Sequence, residues 1–135
     1  MIYSALHNPS GVCGGIVTLG AEALVELYSI DLAREELRAN LERKMGMTRD
    51  EIELIIQSLP VQWIPREAYL HHLGSAMRII GNQPDAAFLA ASIATGIPLV
   101  TGDRGLQSPR VRRLAQTFRP RDFANVIREA KWKPK

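Results

Sequence analysis

The hydrophobic and polar positions of this chain alternate between short apolar runs and longer stretches with helical spacing. The apolar runs predict strands at about 23–29, 61–64 and 97–101. Between them, apolar residues recur every three to four positions and predict helices at about 32–45, 49–59, 67–80 and 85–95. A terminal helix is predicted after a loop, within residues 119–130. This alternation is typical of an α/β fold with a mostly parallel sheet flanked by helices on both faces.

Helix-ending signals sharpen several of these boundaries. Asp31 is placed to cap the first long helix, and Gly46 is placed to end it. The apolar stripe of that helix consists of Leu32, Leu37, Leu41 and Met45. Thr48 and Glu51 have the spacing of a capping box for the next helix. Trp63 is predicted to pack in the core rather than stack on bases.

Length and composition are those of an ordinary globular protein. With 135 residues, of which 46% are hydrophobic, residues 1–135 are predicted to form one domain with a basic C-terminal tail from about 131. No apolar run approaches the roughly 20 residues that span a bilayer, and the N-terminus lacks the pattern of a signal peptide. Cys13 is the only cysteine, which excludes an intrachain disulfide and a cysteine-based zinc site. These features predict a cytoplasmic protein without membrane association.

Charge is distributed unevenly along the chain. Residues 1–103 carry seven Lys or Arg and twelve Asp or Glu, whereas residues 104–135 carry ten Lys or Arg and two acids. This asymmetry indicates that a polyanion approaches the C-terminal third. The candidate contacts follow Asp103 closely and are Arg104, Arg110, Arg112 and Arg113. A solvated basic surface explains the same arginines equally well.

Three acidic residues are predicted to reach one edge of the sheet. Asp103 follows strand 97–101 after one glycine, so it lies at a carboxyl end, where open α/β sheets bind ligands. Asp85 begins the preceding helix, which runs antiparallel to that strand and so brings Asp85 to the same edge. Glu36 lies one to two turns into the helix after strand 23–29 and can reach that edge. Each acid alone also has a structural explanation, as a helix cap, a turn residue or an exposed surface residue.

Together, the three carboxylates predict a divalent cation site. Clustered carboxylates repel one another unless a cation neutralises them, and hard oxygen ligands suit Mg²⁺ or Mn²⁺. Such ions can activate water and stabilise the oxygens of a phosphodiester during displacement. His71 and His72 are adjacent on a helix and point in different directions, so they do not form a competing metal site.

Four segments resemble the PIN domain family and together cover nearly the whole chain. Residues 84–106, PDAAFLAASIATGIPLVTGDRGL, resemble its C-terminal half, in which an Asp begins a helix and a Thr-x-Asp motif follows the next strand. YSIDLAREELRANL resembles its second acidic motif, in which a Glu, here Glu36, precedes Leu. IYSALHNPSG resembles the segment after the first strand, and FRPRDFANVI resembles the closing helix.

The resemblance implies a metal-dependent endoribonuclease that hydrolyses RNA phosphodiesters with Mg²⁺ or Mn²⁺. Many such domains are toxins held in check by an antitoxin, so it also implies RNA as substrate, an antitoxin protein as partner and a homodimer. By position, Glu36, Asp85 and Asp103 would be the catalytic metal ligands. Thr101 would be a polar residue that supports them, and the arginines after Asp103 would bind RNA phosphates.

Two departures from the family pattern bear on activity. The family's first strand ends in Asp-Thr-Asn, whose Asp is a central metal ligand, and this chain begins where that motif should just have ended. We therefore expect the natural start to lie upstream, with Met1 standing for a Val read from a GUG codon. A chain that starts at Met1 is predicted to lack the first strand, bind metal weakly and show little catalysis. Gly105 stands where many members carry a fourth acid.

A second function remains open beside the ribonuclease. A catalytically impaired PIN-like module could keep the fold and bind nucleic acid or a protein through its basic surface. The missing Asp-Thr-Asn favours this alternative, and the retained Glu36, Asp85 and Asp103 argue against it. A phosphotransfer receiver-like domain is a weaker third alternative, because the acids come in a different order and no lysine follows a late strand. RNA cleavage that requires Mn²⁺ would distinguish the first two.

Overall fold

The computed structural model describes residues 18–21 and 25–129. Its contacts divide the chain into two compact units, Met1–Trp63 and Ile64–Lys135, and each is described by itself. The fold is α/β with short parallel strand pairs, which confirms the predicted class at that level. The predictions for Cys13, for the first strand of the PIN family at the N-terminus and for the basic tail lie outside the described residues.

The described part of the first unit, residues 18–21 and 25–63, contains two long helices and two strands, the second of which ends at residue 64, and a helical turn at 18–21 precedes them. In chain order they are β1 (Leu27–Ile30), α1 (Asp31–Met45), α2 (Arg49–Ser58) and β2 (Val61–Ile64). β1 pairs with β2. Both helices and β2 lie within one residue of their predicted bounds, because the signals that end them are local.

The ends of α1 and α2 show which local signals act. Gly46 ends α1 in the left-handed region with φ of 61°, where a side chain would be strained. Thr48 Oγ1 accepts from the Glu51 N–H at 3.3 Å, and Glu51 Oε1 accepts from the Thr48 N–H at 3.0 Å, which confirms the capping box. The prediction that Asp31 caps α1 is wrong. Strand β1 continues to Ile30, which occupies the N-cap without a side-chain bond, and Asp31 is the first helical residue.

The core of the first unit lies between α1 and α2. It contains the buried side chains Leu37, Leu41, Ile52 and Ile56. Trp63 is partly buried against this cluster, which confirms its predicted packing. Met45, which was predicted to join the apolar stripe, is 47% exposed because it lies in the last turn of α1, just before the chain leaves the helix.

Up to residue 129, the second unit contains a helix pair, two very short strands and a last helix. In chain order its elements are α3 (Arg66–Ile79), α4 (Gln83–Thr95), β3 (Leu99–Val100), a 3₁₀ turn (Gly105–Gln107), α5 (Pro109–Arg112), β4 (Thr117–Phe118) and α6 (Pro120–Glu129). β3 and β4 are parallel, with Leu99 opposite Thr117 and Val100 opposite Phe118. The sequence predicted a five-residue strand where β3 has two residues, and it predicted neither α5 nor β4.

Small side chains dominate the packing of α4. Its buried residues are Ala86, Ala87, Leu89, Ala90, Ala91 and Ser92, and the helix packs against α3. The buried residues of α3 are Tyr69 and Ala76, so one large side chain accompanies the alanines of this helix pair. Gly96 ends α4 with φ of 74°. Among the described residues, no helix is both long and apolar enough to cross a membrane.

Candidate functional site

Asp103 lies in a tight turn directly after β3. Its backbone N–H donates to Thr101 Oγ1 at 3.1 Å, and its own Oδ1 accepts from the Gly105 N–H at 2.8 Å. These are local bonds between side chains and backbone of the kind that forms turns without regular secondary structure. They confirm the predicted turn at Asp103. They also fix the orientation of an exposed carboxylate.

Gly105 permits the close approach of that carboxylate. A Cβ atom added at Gly105 would lie 3.2 Å from Asp103 Oδ1. The backbone at Gly105 does not have a positive φ, so the position depends on space rather than on the dihedral freedom of glycine. An acidic side chain at this position would crowd the carboxylate that the Gly105 N–H binds. The turn therefore gives a physical reason for glycine at a position where the PIN family often has an acid.

Asp85 lies in the first turn of α4, but it is not the N-cap. Asn82 is the cap, and its Oδ1 accepts from the Asp85 N–H at 3.4 Å, so the helix begins two residues earlier than predicted. Only residues 96–98 join α4 to β3, and the two elements contact each other. Helix and strand therefore run in opposite directions. Asp85 at the start of α4 and Asp103 after β3 lie toward the same end of this helix–strand unit.

Glu36 lies in the first unit, whereas Asp85 and Asp103 lie in the second. Its side chain is on the exposed side of α1. Among residues 18–21 and 25–129, no group of three or more His, Cys, Asp or Glu side chains is arranged to hold a metal ion. The three-carboxylate site remains a prediction.

The four predicted RNA-binding arginines are all exposed, and two buried residues determine how their segment is presented. Leu106, in the 3₁₀ turn, and Val111, in α5, are almost fully buried. They anchor the chain between Arg104 and Arg113 to the second unit. Ser108 caps α5, and its hydroxyl accepts from the Val111 N–H at 3.4 Å. Because the apolar side chains of this segment are buried, its arginines are on the exposed side. They are Arg104, Arg110, Arg112 and Arg113.

Gln107 is a residue that the sequence reasoning missed. Its Nε2 donates to the Thr101 carbonyl at 2.9 Å, and its Oε1 accepts from Arg112 Nη2 at 3.2 Å and from Thr117 Oγ1 at 3.3 Å. It thus connects the turn that contains Asp103 with an arginine of α5 and with β4. No sequence signal marks a glutamine for this position, because its three partners come together only when β3, α5 and β4 are in place.

In the part of the chain that the structure describes, each unit has an open cleft that borders charged side chains. A cleft of about 790 Å³ between α1 and α2 contains Arg38, which binds Glu35 and also Glu53, with Nε and Oε1 2.8 Å apart. The Arg38 hydrogen bond lowers the pKa of the Glu53 carboxyl below its ordinary value. A smaller cleft of about 420 Å³ runs along residues 112–118 and includes Arg112, Arg113 and Thr117.

Comparisons of the chain with protein-family models, with curated proteins and with solved structures found no match. The resemblance to PIN domains therefore remains a prediction from the sequence motifs.

Proposed function

We propose that this chain is a metal-dependent ribonuclease domain of the PIN type, whose parallel strands are flanked by helices on both faces. The observation that carries the proposal is the turn at Asp103. Its exposed carboxylate is oriented by Thr101 and Gly105 directly after a parallel strand, the part of an α/β fold where ligands bind. Exposed arginines follow within the next ten residues, which suits a polyanionic substrate such as RNA.

In this proposal, Asp103, Asp85 and Glu36 hold Mg²⁺ or Mn²⁺. Their carboxylate oxygens are the hard donors that these ions prefer, and the Asp103 carboxylate is exposed. The bound ion would activate water and stabilise the phosphodiester oxygens. Gly105 holds the Asp103 carboxylate, Thr101 holds the Asp103 backbone, and the arginines bind the phosphates beside the cleavage position. An antitoxin protein and a second copy of the chain are proposed partners.

A catalytically impaired binding module is the second candidate function. The observation that favours it is that two hydrogen bonds already explain the turn at Asp103 without a metal ion. The exposed arginines would then bind RNA or an acidic protein without cleavage.

Cleavage of a fluorescent single-stranded RNA with Mn²⁺ or with EDTA tests the proposal. Asp103→Asn keeps the acceptor for the Gly105 N–H and removes the charge, so it should leave folding intact and abolish the Mn²⁺-stimulated cleavage. Asp122→Asn is the matched control, because Asp122 lies in α6 and pairs with Arg119 at 3.0 Å. It should cleave like the wild type.

A second form of the protein separates the two candidate functions. An N-terminal extension that ends in Asp-Thr-Asn would add the acid of the family's first strand, and it should raise the Mn²⁺-stimulated rate. RNA binding without cleavage by both forms would select the binding module. Cleavage that persists in EDTA would contradict the metal-dependent proposal.

A further inference from the structure

Gln107 connects three separate parts of the second unit through a single side-chain amide. The NH₂ group donates to the Thr101 carbonyl at 2.9 Å, and the oxygen accepts from Arg112 at 3.2 Å and from Thr117 at 3.3 Å. An amide both donates and accepts, so it can bind a carbonyl on one side and a guanidinium on the other. Neither a carboxylate nor an ammonium group could make this set of bonds.

The amide extends from a well-fixed position. Gln107 lies in the 3₁₀ turn, where its backbone N–H donates to the Arg104 carbonyl at 3.0 Å. The preceding side chain, Leu106, is 1% exposed. On the far side, Thr117 is a buried residue of β4 and lies opposite Leu99 in the parallel strand pair. The hydrogen bonds of Gln107 therefore join elements whose backbones are already held.

Arg112 is the exposed partner in this network. An arginine side chain loses considerable rotamer entropy when it is held in one geometry to bind a phosphate. The bond from Arg112 Nη2 to Gln107 Oε1 uses one of five N–H donors and leaves the others for a ligand. Arg112 and Thr117 also line the 420 Å³ cleft, so the network borders an open surface.

We infer that Gln107 is a positioning residue that holds the Asp103 turn and the Arg112 guanidinium at a fixed separation. The inference rests on the proposed function. It adds that the Gln107 side chain sets the distance between the metal-binding Asp103 carboxylate and the phosphate-binding Arg112 guanidinium. Through Thr101, whose hydroxyl accepts from the Asp103 N–H and whose carbonyl accepts from Gln107, the same amide orients both groups. RNA would meet a preformed arginine rather than order a flexible one.

The salt dependence of RNA binding tests this inference without any cleavage. A fluorescent twelve-nucleotide oligouridylate is titrated in EDTA over a series of KCl concentrations, and affinity is read by anisotropy. Arg112→Ala should reduce the slope of log affinity against log salt by about 0.7, the value for one phosphate contact to a single strand. Gln107→Met, which keeps the length but removes the hydrogen bonds, should weaken binding several-fold and reduce the slope in the same direction.

A double-mutant cycle separates positioning from general destabilisation. The Gln107→Met, Arg112→Ala double variant should bind no more weakly than Arg112→Ala alone, because both changes remove the same contact. Arg110→Ala is the matched control on the same helix, since the hydrogen bonds of Gln107 go to Thr101, Arg112 and Thr117. Its effect should add fully to that of Gln107→Met.

Each outcome of the cycle has a defined meaning. A Gln107→Met slope equal to the wild-type slope, or full additivity with Arg112→Ala, overturns the inference and leaves the proposed function standing. A wild-type protein that binds no oligouridylate overturns both. If Gln107→Met does not fold, Gln107→Asn replaces it, because this amide is one methylene too short to keep its three bonds and should give the same result.

Discussion

Arg38 of the first unit and the arginines from 104 to 113 of the second unit differ in the partners that they bind. In the first unit, Arg38 binds two glutamates, Glu35 and Glu53, and so links α1 to α2. In the second unit, the arginines from 104 to 113 lie on the surface. Among them, Arg112 donates to the neutral amide of Gln107 and not to an acid. Arg38 is thus engaged in an internal link. In the second unit Arg119 pairs with Asp122, but the arginines from 104 to 113 form no ion pair with another described residue and stay available to a ligand. This difference places the candidate binding surface in the second unit.

The same leucine-to-alanine substitution should have very different effects in the two units. Leu41 is fully buried between α1 and α2, whereas Leu114, beside the arginine cluster, is 48% exposed. Leu41→Ala should lower the free energy of unfolding by about 3 kcal/mol, because it leaves a cavity. Leu114→Ala should change it by less than about 0.5 kcal/mol. Urea denaturation measures both, and equal losses would show that the segment after Asp103 is not a surface segment.

The two helix caps provide a smaller test. Thr48 exchanges two hydrogen bonds with Glu51, whereas Asn82 makes one bond of 3.4 Å to the Asp85 N–H. Thr48→Ala should cost about 1 kcal/mol of stability and Asn82→Ala about half as much. The midpoint of thermal unfolding reports both changes. A larger loss at Asn82 would mean that α4 depends on its cap more than its buried alanine face suggests.

Two glycines of the second unit should respond differently to substitution by alanine. Gly74 lies inside α3 with open space around a Cβ atom, so Gly74→Ala should raise stability by about 0.5–1 kcal/mol. Gly105→Ala should instead weaken Mn²⁺ binding, because its Cβ would lie 3.2 Å from Asp103 Oδ1. Isothermal titration calorimetry with Mn²⁺ measures the second effect. An unchanged Mn²⁺ affinity would show that the Asp103 turn is not part of a metal site.

Acid should affect the first unit through its paired glutamates. Arg38 lowers the pKa of Glu53, and the Thr48 backbone lowers the pKa of Glu51. The pKa of each glutamate is lower in the folded chain than in the unfolded chain, where glutamate has a pKa of about 4.3. The stabilisation is therefore complete above that pH and is lost as pH falls through the lower folded values. Stability measured between pH 5 and 3 (about the range in which these groups protonate) should fall less in Arg38→Met than in the wild type.

The sequence predicted the parts of this fold that depend on short-range signals. The Thr48–Glu51 capping box, strand β2 and the helix ends at Gly46 and Gly96 all form as expected. Each of these signals acts between residues a few positions apart. The α/β class followed from the same alternation of elements.

The parts that were missed depend on contacts between distant residues. Strand β4 has two residues and exists because Leu99 and Thr101 donate to the carbonyls of Gln116 and Phe118. Asn82 is the cap in place of Asp85, because its side chain accepts from the Asp85 N–H and α4 begins two residues before Asp85. Gln107 acquires its role only through partners that lie five to ten residues away.

The α3–α4 pair has a consequence for the order of folding. These helices are neighbours along the chain, joined by residues 80–82, and they form the most extensive contact between elements of the second unit. Contacts between sequence neighbours close short loops and so form early, whereas the β3–β4 pairing must close a longer one. We therefore expect the helix pair to fold first and to show the slowest amide hydrogen exchange. The Asp103 turn would assemble on it late and open most readily, so that ligand binding there would be seen as slowed exchange at Gly105.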